Sequence, residues 1–304
     1  MTQDQAGDIA GGISGASAVD LTRAGEQTSG GRAWRRLSRH RSARFGVAVI
    51  LLYVAATLLL PLLIHYNPDR NDLSQAFLGP SAGHLLGTDE LGRDELLRLA
   101  LGARFTLFVG VAAVAIGLAV GLPLGAASGY FGGWIDLLIQ RLTDVLLAFP
   151  GILLALALVA ALGPGLKNVI VSVGITSIPG FIRLIRASAL SIRELPYVEA
   201  GRAMGVASWR IVLRHVIPNS LAPVIVQATL QLGFAILVAA GLGFLGLGVQ
   251  PPTPEWGSML GLSRNYIFSD QALVTFPGIA IFGAVLAFNL LGDGLRDALD
   301  PRMK

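Results

Sequence analysis

YVEAGRAMGVASWRIVLRHVIPN, Tyr197 to Asn219, is an amphipathic, Arg-bearing, Gly-punctuated segment set between long apolar runs. A chain that lives mostly in lipid has little reason to keep such a segment in water unless something docks on it. Pro196, just before it, suits the first turn of a helix, where its missing N–H costs nothing. Glu199 then falls near the positive end of that helix. Ala200, Gly201 and Ala203 leave a low-relief surface that lets another backbone approach. Gly205 can take φ > 0 and end the helix. Ser208 is placed to cap a second helix, SWRIVLRHV, in which Ile211, Val212 and Val216 alternate with Arg210, Arg214 and His215. Pro218 and Asn219 mark the entry to the next apolar run. The segment predicts a helix–turn–helix elbow at a membrane face. Two readings stay open at this point: an ordinary amphipathic interfacial helix, or a docking surface.

The rest of the chain supplies the membrane. Of 304 residues 53% are hydrophobic and only 14% charged, against about 25% charged in soluble domains. Mean hydropathy is +0.66. Six apolar segments, Phe45–Ile64, Phe105–Ala127, Val145–Leu162, Val169–Leu190, Leu221–Gly243 and Leu273–Leu291, each approach the ~20 residues that cross a bilayer as a helix. The expected fold is therefore all-α, a polytopic integral membrane protein with six transmembrane helices. Residues 1–31, rich in Gly, Ala, Ser and Thr, read as a disordered tail and not as a signal peptide. The parts expected are a basic cytoplasmic tail over 1–44, a first helix over 45–66, an extracytoplasmic loop over 67–102, a core over 103–292 with its elbow at 195–219, and a cytoplasmic C-terminus over 293–304.

Positive charge orients the spans. Arg32, Arg35, Arg36, Arg39, Arg41 and Arg44 precede the first with no acid among them. That end is expected in the cytoplasm, and six crossings then place both termini and the Glu199 segment inside. The loop 65–104, with six acids against four arginines, falls outside. So does 244–272, in which Gln250 to Trp256 reads as a rigid, Pro-rich loop. Asp94 to Leu101 is expected as a short helix lying on the outer interface.

Four motifs carry a family resemblance: the elbow, HLLGTDELGRDELLRL (His84 to Leu99), FLGLGVQPPTPEWGSML (Phe244 to Leu260) and LAFNLLGDGLRDALDPR (Leu286 to Arg302). The elbow resembles the EAA loop of binding-protein-dependent ABC importers, with Glu199, Ala200 and Gly201 opening it, Gly205 following, and Ile217-Pro218 closing it. Gly201 stands where that pattern has a second Ala. Together the motifs resemble the C-type permease subunit of the dipeptide and oligopeptide branch. The resemblance implies ATPase contact through Glu199, Ala200, Gly201, Arg202, Gly205, Arg210, Arg214 and Pro218. It implies as partners a second homologous permease, one or two cytoplasmic ABC ATPases that bind ATP and Mg, and an extracytoplasmic solute-binding protein. It implies a multi-pass place in the bacterial plasma membrane and alternating access as the mechanism. Substrate stays open among dipeptides, oligopeptides, nickel, glutathione and larger ligands.

Other residues have two readings each. Gly117, Gly121, Gly125 and Gly129 form one smooth stripe for close helix approach, within the subunit or against a partner permease. Asp136, Gln140 and Asp144 share a helical face, either anchoring the interface or forming a gate pair or a contact beneath the ATPase, for example with Arg183 or Arg186. Gln227 and Gln231 share a face in the fifth span, lining a translocation path or bonding between helices. Gly241 to Gly246 matches GxGxxG but has no strand–turn–helix context, which excludes dinucleotide binding.

Lys167 and Lys304 are the only lysines, and neither completes a Walker A loop. No HExxH or GxSxG occurs, and zero Cys excludes thiolate chemistry. No catalytic centre, metal site, cofactor or nucleic-acid partner is expected in this chain. A second class, a transporter driven by an ion gradient, needs a membrane-buried acid as relay. The central thirds of the six spans hold no Asp, Glu or Lys.

Overall fold

The computed structural model describes residues 37–38, 40–63 and 71–299. The tail expected to be disordered, the arginines Arg32, Arg35, Arg36 and Arg39, and residues 64–66 and 300–304 lie outside the described residues. The helices are α1 Arg41–Leu63, α2 Glu95–Phe131, α3 Gly133–Leu147, α4 Gly151–Leu162, α5 Leu166–Arg193, α6 Pro196–Ala203 and α7 Ser208–Ile211. A π-helical turn, Val212–Val216, leads into α8 Ile217–Phe244, followed by α9 Trp256–Ser263 and α10 Ala272–Leu299. No strand occurs among the described residues. Five stretches are long and apolar enough to cross a membrane: α1, α2, α5, Ser208–Phe244 and α10. The pair α3 and α4, bent by 86°, makes a sixth when it is taken as one span.

The all-α, six-span architecture stands, with corrections to how the spans are built. The third was expected as one helix over Val145–Leu162. It breaks at Phe149-Pro150 because proline lacks the N–H a continuing helix needs and drives the residue before it out of the helical region. The short interfacial helix expected over Asp94 to Leu101 is the first part of α2, which runs unbroken for 37 residues. Asp94 is its N-cap and accepts the Leu97 N–H at 2.8 Å. The loop expected to reach residue 102 thus ends at Asp94, and the last helix continues past residue 292 to Leu299.

The α2–α5 interface is the most extensive between helices. Gly117, Gly121, Gly125 and Gly129 make it possible. A Cβ added at Gly117 would sit 2.7 Å from Ser177 Cβ, at Gly121 2.5 Å from Phe181 Cβ, at Gly125 2.8 Å from the Ile182 carbonyl, and at Gly129 2.6 Å from Ala189 Cβ. The stripe faces α5 of the same chain. Where the lipid-type driving force is weak, such backbone approach supplies the dispersion contacts that hold helices together. Helix α1 packs on α10 in the same manner, with Ala43 against Gly294 and Tyr53 against Gly283. Tyr53 donates to the Ala280 carbonyl at 3.1 Å, and His40 Nε2 lies 3.0 Å from Asp297 Oδ2.

At the end of the bundle away from the elbow, the polar motifs turn inward. Asp89, Arg93, Asp94 and Arg98 are all buried. Arg93 Nε donates to Asp89 Oδ2 at 2.7 Å, with Arg98 Nε 3.3 Å from the same oxygen. His84 Nδ1 meets Asp94 Oδ2 at 2.9 Å. Arg98 also reaches the Pro252 carbonyl at 3.4 Å, which ties this clasp to the Pro-rich loop. The start of that loop is exposed and its end, Pro254 to Trp256, is buried. Glu255 caps α9 by accepting from Gly257 N at 2.8 Å and Ser258 N at 2.9 Å. Thr106 of α2 donates to Glu255 Oε1 at 3.2 Å. Trp256, fully buried, donates its indole N–H to the Leu99 carbonyl at 2.8 Å.

Burial raises the Glu255 carboxyl above the ordinary range, while its three hydrogen bonds pull it back. A carboxyl raised on folding contributes stability that is fully present below its unfolded-state pKa and lost as pH rises through the folded value. Glu255→Ala is expected to lower stability by about 1–3 kcal/mol, since three donors lose a buried acceptor. Glu255→Gln should remove the pH-dependent part. Thermal unfolding in detergent as a function of pH measures both.

Candidate functional site

Two short limbs and a left-handed turn build the elbow. Pro196 is the first residue of α6, as its fixed φ favours. Gly205 has φ +76° and ends the first limb. Its N–H reaches the Arg202 carbonyl at 2.9 Å, and the Val206 N–H reaches the Gly201 carbonyl at 3.0 Å. That pair of bonds is a Schellman turn, which satisfies carbonyls at the helix end that would otherwise be open. The second limb begins at Ser208, but Ser208 does not cap it as expected. Ala207 is the N-cap and no side chain bonds there. Pro218 falls in the first turn of α8, at the entry expected of it. The second limb runs through the π-helical turn into α8 as one span, and the widened turn absorbs the donor that Pro218 lacks.

The limbs meet along an inner face. Val198, Gly201 and Ile211 are buried, and a Cβ at Gly201 would lie 3.9 Å from Ile211 Cδ1. Gly201 was placed on the contact surface by the motif. Here it faces inward instead, where an added Cβ would make only ordinary contact. The Tyr197 and His215 rings stand 5.6 Å apart, and Asn219 Nδ2 donates to the Tyr197 hydroxyl at 3.3 Å. Glu199, Ala200, Arg202, Gly205, Arg210, Arg214 and Pro218 are exposed. Arg202 is also tethered: its guanidinium lies 5.0 Å over the Tyr130 ring at the end of α2, and Nε is 3.4 Å from the Tyr130 hydroxyl. Sequence reasoning did not single out the apolar half of this surface. Met204 is 76% exposed, Trp209 59% and Leu213 56%. The i, i+4 spacing of Trp209 and Leu213, opposite Ile211, was the signal available.

The two glutamines of the fifth span separate. Gln231 Nε2 donates to Ser177 Oγ of α5 at 3.0 Å. Gln227 borders a concavity of about 520 Å3, lined also by Leu184, Pro223, Val226, Leu230 and Arg296. The acidic face of α3 pairs with α5. Arg186 holds Asp136 in a two-pronged bond at 2.6 and 2.7 Å, and Arg183 Nη2 meets Asp144 Oδ1 at 2.9 Å. No group of three or more possible metal ligands occurs among the described residues.

A helical bundle of six spans, glycine-seamed and carrying an exposed helix–turn–helix elbow on one face, is the architecture of a transporter's membrane subunit. Residues 117–304 match the family described as the inner membrane component of binding-protein-dependent transport systems, and the chain belongs to it. Residues 28–80 match the N-terminal transmembrane domain of oligopeptide transport permease C. The chain is 48% identical over 272 residues to the dipeptide transport system permease protein DppC of Alkalihalophilus pseudofirmus, covering 90% of each. It is 46% identical over 272 residues to the glutathione transport system permease protein GsiD of Pectobacterium atrosepticum, covering 89% of this chain and 90% of that one. A chain of the MetNI methionine ABC transporter, solved facing inward, shares the fold at a TM-score of 0.55 and 21% identity, over 67% of this chain and 96% of that chain.

Proposed function

We propose that this permease moves di- or oligopeptides, or a related small solute such as glutathione, into the cytoplasm as part of an ATP-driven importer. The observation that carries the reading is the exposed mixed face of the elbow, where Met204, Trp209 and Leu213 interleave with Glu199, Arg202, Arg210 and Arg214. An apolar surface rimmed by charge, kept at the end of a membrane bundle, fits a soluble partner. The partner proposed is an ABC ATPase that supplies the ATP and Mg site, and this chain contributes no catalysis. Both termini and the elbow lie in the cytoplasm, as the arginines before α1 favour. A second homologous permease completes the pathway, and a solute-binding protein delivers substrate from outside. Closure of the ATPases draws the elbows together and opens the helices outward; hydrolysis resets them. The substrate class rests on the dipeptide and glutathione relatives and is specified largely by the binding protein.

Gentle purification of the tagged chain, mass spectrometry of what co-elutes, and uptake by the reconstituted complex test this reading. A stoichiometric second permease, Walker A ATPases and ATP-dependent peptide uptake are expected. A chain that elutes alone and transports on an ion gradient sinks the reading.

A further inference from the structure

Helix α3 is held in an unusual way. At its start it joins α2 through Gly132 and Gly133, at φ +67° and +56°. Both are left-handed values that glycine adopts without strain. At its end it breaks from α4 at Phe149-Pro150, with the axes 86° apart. Of its fifteen residues only Thr143 is buried, and Thr143 bonds within its own helix. One face is apolar and open, with Trp134, Leu137, Leu138, Leu142 and Val145 all more than half exposed. The other face carries every tie to the bundle. Asp136 takes the two-pronged bond from Arg186 and a further hydrogen bond from Ser128, while Gln140 donates to Ser128 at 3.0 Å.

The far end of that tie leads to the elbow. Arg186 sits in the last third of α5, which runs without interruption to Arg193. Only Glu194 and Leu195 separate it from α6. A displacement of the elbow thus has a path of two linker residues to the helix that holds Asp136. The two ion pairs are not equivalent. Arg183 and Asp144 have side chains 56% and 50% exposed, against 33% and 21% for Arg186 and Asp136. An exposed single-pronged pair contributes little, whereas a bidentate Arg–carboxylate bond in a partly buried site fixes both distance and direction.

We infer that Asp136 and Arg186 are the positioning residues that convert movement of the elbow into movement of α3, a lever hinged at Gly132-Gly133 and at Pro150. This rests on the ATP-driven reading above. The pair touches neither substrate nor nucleotide; it sets where α3 stands for each position of the elbow. Charge reversal at either member frees the lever while leaving the glycine seam between α2 and α5 intact.

The test uses the complete complex in lipid nanodiscs and proteoliposomes, with substrate uptake, ATP hydrolysis and complex recovery measured together. Asp136→Arg and Arg186→Asp should each lower the solute moved per ATP hydrolysed by about 2- to 30-fold, the range that mutations along a coupling element produce. The double exchange should restore most of it, as expected for residues in direct contact. Arg183→Gln should leave the ratio within about twofold, the range of a weak exposed pair. Where reversal lowers recovery of the complex, Asp136→Asn and Arg186→Gln carry the same comparison. An unchanged ratio in the single variants overturns the inference. So does a double exchange no better than either single change, or an equal loss at Arg183. A wild-type complex that moves solute without ATP overturns the reading beneath it, and that outcome is read on the wild type alone.

Discussion

Gly205→Val is expected to lower ATP-driven uptake by about 5- to 30-fold, and Gly205→Asn to retain most of it. An added Cβ at this position meets nothing within 4 Å, so the loss does not come from a clash. It comes from φ +76°. A β-branched residue pays about 1–2 kcal/mol in the left-handed region, which asparagine visits far more readily. That energy is a factor of roughly 5–30 in the population of the turn. The Schellman bonds from Gly205 and Val206 are then traded for an unwound limb, and Met204 and Trp209 no longer share one surface. Uptake and co-purification of the ATPase should fall together, while the amount of chain in the membrane stays constant. Equal uptake by the valine and asparagine variants would falsify the claim that backbone geometry shapes this site.

A second large effect is expected at the seam. Gly121→Leu brings side-chain carbons where the Cβ alone would sit 2.5 Å from Phe181 Cβ and 3.3 Å from the Ile178 carbonyl. Part of what it meets is backbone on the facing helix, which cannot swing away as a side-chain tip can. Overpacking of a core costs about 1–3 kcal/mol when neighbours adjust, and more when they cannot. The folded chain should be recovered poorly in detergent, with a lowered thermal midpoint. Gly278→Leu is the matched control, because a Cβ there has open space within 4 Å. If both substitutions are tolerated equally, the seam is not where the subunit's stability resides.

Much of this was legible in the sequence, for physical reasons that differ by residue. Spans announce themselves through runs of apolar residues, and Pro196 and Gly205 through backbone rules that hold wherever they occur. The glycine stripe was visible as a spacing of four, although spacing says nothing about which helix lies opposite. The break at Phe149-Pro150 was readable in principle, but the apolar run on both sides outweighed the proline. Gly201 was misplaced because a motif gives the order of residues and not the direction each one faces. Ser208 was misread as a cap because Ala207 ends the turn first. The burial of Arg93 and Arg98 was hidden, since a charged stretch between spans reads as a solvated loop until a fold supplies the carboxylates that face it.

That inward-turned clasp bears on how a visitor finds the opposite face. Asp89 meets Arg93 and Arg98, and Asp94 meets His84, inside the fold, so these side chains are turned away from a visitor. Beside them project the apolar Leu73, Leu85 and Phe268, the last 97% exposed, together with exposed Arg264. The apolar part of that rim holds a landing protein by short-range contact, and that part of its grip should resist added salt.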